Sequence, residues 1–94
     1  MSAELLKICK SIDQIDDQIK TLFIKRLSLV QEIAIQKQHR NLPVLNSVRE
    51  QEIIDRVTKD MPNQTAAYIK TLFAGILEIS RLSQENFLES VAKS

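Results

Sequence analysis

Between Ala3 and His39 the apolar residues Leu5, Ile8, Ile12, Ile15, Ile19, Leu22, Leu29 and Ile33 recur in steps of three and four, with one gap. That spacing keeps one face of an α-helix apolar and does not fit the two-residue alternation of a strand. No Gly or Pro interrupts the stretch, so one continuous helix over Ala3–His39 is predicted. The gap falls at position 26, where the register asks for an apolar residue and the chain has Arg26. One step of four beyond Ile33 lies Lys37, a second cation on the stripe meant for burial.

Such a helix is too long for the chain that carries it. Some 36 residues at 1.5 Å each make a rod of roughly 54 Å. A globule of this size should measure only about 30–35 Å across. The apolar face must therefore be covered from outside, and an intertwined homodimer is expected.

The first helix should fade near Gln38–Asn41, because the residue before Pro43 is disfavoured in the α region. Arg40 to Asn46 reads as a connecting loop. Ser47-Val48-Arg49-Glu50 has the form of a capping box, so a short second helix is predicted from Asn46 or Ser47, ending before Met61-Pro62. Its apolar face uses Val48, Ile53, Ile54 and Val57. Asn63 or Thr65 can cap a third helix reaching about Val91, with a stripe of Ile69, Leu72, Phe73, Ile76, Phe87, Leu88 and Val91. Ser80 and Gln84 break the middle of that stripe. Gly75 inside this helix costs roughly 1 kcal/mol relative to Ala, so close packing is expected there. The fold class is all-α, one domain over residues 1–94, with one very long, one short and one medium helix.

Composition narrows the function classes. Thirteen basic and twelve acidic residues are mixed along the chain, for a net charge of +1. This is not the one-sided basic footprint of a nucleic-acid binder. No apolar run approaches the roughly 20 residues that span a bilayer, and the N-terminus lacks a signal-peptide core. A soluble, cytoplasmic protein without nucleic-acid or membrane partners is expected. The single cysteine excludes an intrachain disulfide, and no Ser/His/Asp set, CxxC or Gly-rich phosphate loop is present. His39 has no metal-ligand companion, so no metal and no cofactor are expected.

Arg26 and Lys37 are eleven residues apart, close to three full turns, so they point the same way about 16 Å apart along the axis. Burying an unpaired charge costs several kcal/mol. One such cation would be read as paired with an acid of the partner chain or as snorkelling to the rim. Two of them, facing Ser80 and Gln84 on another inner stripe, point instead to a pocket for a small anion between helices. Glu50 reads first as the reciprocal half of the capping box, with acceptance from a ligand hydroxyl as the alternative. Arg49 is either a solvent-exposed charge or a further anion contact. A pocket of this kind can catalyse by holding a small polyanion in a reactive shape and stabilising charge that develops in it.

The ordered set Ile12-Asp13-Gln14-Ile15-Asp16, Lys25-Arg26, Lys37, Pro43-Val44, Arg49-Glu50, then Ser80 and Gln84 resembles the all-helical chorismate mutases over nearly the whole chain. The resemblance implies three helices per chain in an intertwined dimer. It also implies the rearrangement of chorismate, a small dicarboxylate, to prephenate without a cofactor. By the same resemblance Arg26 meets a substrate carboxylate. Lys37 meets a carboxylate and the ether oxygen, and Gln84 donates a second hydrogen bond to that oxygen. Glu50 accepts from the ring hydroxyl, aided by backbone near Asn46, while Ser80 touches a carboxylate and Arg49 lines the site.

One position departs. The family places an arginine three residues before the first Ile of the Ile12–Asp16 motif, reaching into the partner's site, and here that position is Cys9. A thiol cannot give a carboxylate the two-pronged, permanently charged contact of guanidinium. Lys10 and Lys7 lie roughly 100° and 200° around the helix, so neither replaces it simply. On its own Cys9 reads as a small buried hydrophobe. A mutase of reduced proficiency is expected. Two alternatives are the related isochorismate-pyruvate lyase activity and a non-catalytic helical dimer that binds a metabolite or a protein.

Overall fold

The first helix starts where a short polar side chain can serve its free amides. Ser2 is extended, and its hydroxyl accepts from the Leu5 N–H at 3.2 Å. The computed structural model describes residues 2–93. They form α1 (Ala3–His39), α2 (Ser47–Thr58) and α3 (Asn63–Lys93). The all-α expectation and the bounds of α1 hold.

Asn41 ends α1. It takes the left-handed conformation, φ 55°, which asparagine tolerates better than most residues, and the Leu42 N–H then closes on the Lys37 carbonyl at 2.8 Å. Asn46 caps α2, its side chain accepting from the Arg49 N–H at 3.1 Å. The predicted capping box is thus not what uses Glu50. Its carboxylate goes to Arg81 on α3, where a charge-assisted bond outcompetes a neutral backbone amide. The third helix also differs at its start. Asn63 is already helical, and the Ala66 N–H donates to the Pro62 carbonyl at 2.8 Å, so the cap position is Pro62 rather than Asn63 or Thr65.

The third helix packs against both α1 and α2. Val30 and Ala34 of α1, Ile53 of α2 and Leu77 of α3 form the buried apolar core, with Ser80 and Gln84 buried beside them. The strip of α1 that α3 covers (half-buried Phe23 and Leu27, buried Val30 and Ala34) lies beside the stripe whose cover is expected from outside the chain. Leu22, Leu29 and Ile33 stay exposed. With about 100° per residue, Arg26 and Lys37 fall on the seam between the two strips. The cations therefore edge the core rather than interrupt it.

Toward the N-terminus nothing among the described residues covers the stripe. Leu5, Ile8, Ile12, Ile15 and Ile19 are each about half exposed, from 48% to 58%. The molecule measures 55 × 33 × 14 Å, and its long dimension is set by α1. Gly75 does not meet the expectation of close packing within the chain, since a Cβ there would find no side chain or other helix within 4 Å. No helix among the described residues is long and apolar enough to cross a membrane.

Candidate active site

The three helices meet around a cavity of about 260 Å³. Arg26 and Lys37 reach it from α1, Arg49 and Glu50 from the first turn of α2, and Ser80, Arg81 and Gln84 from α3. Asn46 closes it at the α2 cap, and Val30, Ile33, Val44, Ile53 and Leu77 form its apolar wall. Seven of the eight residues singled out from the sequence are therefore together.

Each cation is fixed by neutral groups. An Arg26 guanidinium nitrogen donates to the Ser80 hydroxyl, which in turn donates to the Ile76 carbonyl at 2.7 Å. Lys37 Nζ donates to the Val44 carbonyl at 2.6 Å and to Gln84 Oε1 at 3.3 Å. The left-handed turn at Asn41 folds Val44 back toward Lys37, so the helix stop also builds the site. With the amide oxygen of Gln84 turned to Lys37, its NH2 end is the donor it has to offer a ligand.

Electrostatics follow from this arrangement. Burial lowers the Arg26 pKa first, and the like charges of Arg49 and Arg56 lower it further. Burial also lowers the Lys37 pKa, opposed by the negative charge of Glu50. Among the described residues the acceptors of both cations are neutral, so their charge is left to meet an anion. Arg49 lies at the rim, 3.7 Å from Glu52 in an exposed pair. This exposure fits the reading of Arg49 as a solvent-facing helix charge.

Cys9 does not reach the cavity of its own chain. It is half-buried near the start of α1, and the seventeen residues separating it from Arg26 correspond to roughly 25 Å of helix. Sequence reasoning missed Arg81, which lines the cavity, and Arg56, whose field acts on Arg26. Arg81 follows Ser80 directly and precedes Gln84 by three, so it borders the polar break in the α3 stripe. That adjacency was the available signal. Among the described residues no three His, Cys, Asp or Glu side chains gather so as to hold a metal ion.

Comparison with known proteins adds four findings. The family model described as chorismate mutase type II matches residues 8–85. A bifunctional chorismate mutase/prephenate dehydratase of Buchnera aphidicola is 34% identical over 87 residues, covering 90% of this chain and 23% of that protein. A chorismate mutase of Methanocaldococcus jannaschii is 37% identical over 59 residues, covering 63% of this chain and 60% of that protein. A solved structure of a conserved hypothetical protein from Pyrococcus furiosus is 36% identical with a TM-score of 0.76, covering 89% of this chain and 99% of the other. The chain thus spans about a quarter of one curated relative and three fifths of the other.

Proposed function

The chain belongs to the type II chorismate mutase family, and on that premise we propose that it catalyses the cofactor-free rearrangement of chorismate to prephenate. One observation carries the proposal. Arg26, Lys37, Ser80 and Gln84 line a single small cavity with more positive than negative charge, and chorismate brings two carboxylates, a ring hydroxyl and an ether bridge. The reaction breaks that ether bond as a carbon–carbon bond forms, and negative charge grows on the ether oxygen.

In this reading Arg26 and Ser80 receive one carboxylate. Lys37 receives a carboxylate and faces the ether oxygen, joined there by the Gln84 amide nitrogen. Glu50 accepts from the ring hydroxyl beside Asn46, and Arg49 closes the rim. Two sources of rate are available: the folded shape imposed on the side chain, and donors that meet charge only as it develops. Prephenate would serve aromatic amino acid biosynthesis in the shikimate pathway, in the cytoplasm. Neither the family match nor the curated relatives favour the lyase alternative. The test is loss of chorismate absorbance with prephenate identified as product. Release of pyruvate from isochorismate without mutase turnover would overturn the reading.

We further propose a homodimer, supported by the exposed stripe Leu5, Ile8, Ile12, Ile15 and Ile19. Two such stripes on antiparallel rods would cover one another. Sedimentation should give twice the chain mass. Ile15→Asp, which places an unpaired charge against apolar partners at a cost of several kcal/mol, should shift the protein to monomer and lower its melting temperature. A parent that sediments as a monomer would end this part of the proposal.

A further inference from the structure

The same cavity holds a residue to which the proposed reaction gives no task. Four cations (Arg26, Lys37, Arg49 and Arg81) and one carboxylate, Glu50, line it. Arg81 differs from the others in its partner. Its Nη1 donates to both oxygens of Glu50, at 2.5 and 2.7 Å, while Arg26 and Lys37 donate to neutral groups and Arg49 pairs with Glu52 at the rim. The ion pair joins α3 to the first turn of α2, 31 residues away in the chain. The Glu50 bond also raises the Arg81 pKa.

A carboxylate in a pocket for a dianion is a liability unless its charge is cancelled. Like charges a few ångströms apart repel, and a partly buried site screens that repulsion less than water does. The carboxylate must also be held where its free lone pairs can meet the ligand's hydroxyl, and two short charge-assisted bonds to Arg81 anchor it there. Both conditions are met by one side chain. We propose that Arg81 is a positioning residue that neutralises and orients Glu50, making the site selective for a dianion that also carries a hydrogen-bond donor. The inference rests on the reading of the cavity as a dicarboxylate site, and it assigns Arg81 no contact with the reacting atoms.

The experiment compares the parent with Arg81→Gln, Arg81→Lys, Glu50→Gln and the double variant Arg81→Gln/Glu50→Gln. Two quantities are read on the full chain: chorismate turnover, and calorimetric binding of isophthalate, an inert ring dicarboxylate without a hydroxyl. Arg81→Gln should weaken isophthalate binding roughly 10-fold or more by leaving Glu50 uncompensated, and Arg81→Lys should recover most of it. Glu50→Gln alone should bind isophthalate more tightly than the parent yet turn chorismate over more slowly. In the double variant, isophthalate binding should return to within about threefold of the parent while turnover stays low, because the loss from the unbalanced carboxylate is removed with it, whereas a structural loss at Arg81 would persist.

A double variant that binds isophthalate as weakly as Arg81→Gln, unchanged isophthalate binding in Arg81→Gln, or a parent that does not bind isophthalate would each overturn the inference. If Arg81→Gln does not fold, the Glu50→Gln arm decides alone, and weaker isophthalate binding there overturns it. The two readings fail separately. A parent that binds isophthalate with this pattern but leaves chorismate unchanged removes the proposed reaction and keeps the role of Arg81. A parent that converts chorismate without the pattern does the opposite.

Discussion

Lys37→Gln lowers kcat/KM for chorismate by about 100- to 1000-fold, the loss typical of removing one donor aimed at developing charge. The substitution keeps a hydrogen-bonding group near the Val44 carbonyl and Gln84 but removes the positive charge. The fold should survive it. Because burial lowers the Lys37 pKa, the folded chain binds fewer protons there than the unfolded chain between the two pKa values, and stability rises with pH across that window. Removing the charge relieves this cost, so the melting temperature of Lys37→Gln should be unchanged or higher near neutral pH. Turnover runs the other way with pH. It needs the ammonium, so the parent should lose activity on the alkaline side as pH climbs through a value below the ordinary lysine range of about 10.4. In Lys37→Arg that limb should disappear, since guanidinium stays charged. A Lys37→Gln variant within tenfold of the parent would remove Lys37 from the chemistry.

What the sequence made legible, and what it did not, divides along physical lines. The α1 bounds follow from local rules that act on one helix at a time: the polar Ser2 before it, the absence of Gly and Pro within it, and Asn41-Leu42-Pro43 after it. Ser80 and Gln84 were found as breaks in an apolar stripe and are buried at 5% and 6% exposure. The strip that α3 covers went unmarked because α1 carries two adjacent apolar strips. Periodicity marks both and does not say which one α3 covers. The capping-box reading of Glu50 fails for a related reason. A capping box is local and visible within four residues, whereas Arg81 lies 31 residues away and is brought to Glu50 only by packing of α3 against α2. Sequence patterns report contacts within an element well. Contacts between elements had to come from the fold.

The largest gain in activity is expected from Cys9→Arg, which should raise kcat/KM for chorismate by roughly 10- to 150-fold, the value of one charge-assisted hydrogen bond of about 1.5–3 kcal/mol. Cys9 is too far along α1 to serve the cavity of its own chain, so the gain must cross between chains. That makes it separable from any local effect. A chain carrying both Cys9→Arg and Lys37→Gln should be nearly inactive alone, because both cavities of its homodimer lack Lys37. Mixed with the parent, it should form heterodimers in which one cavity has the parent's Lys37 and receives the new arginine from the partner. The mixture should then exceed the activity of the parent at equal parent concentration. If Cys9→Arg acted within its own chain, mixing would add nothing, because every new arginine would sit in a chain without Lys37. Activity that rises in Cys9→Arg but does not transfer on mixing would therefore exclude a shared cavity, while no rise in Cys9→Arg would mean that the existing cations already satisfy both carboxylates.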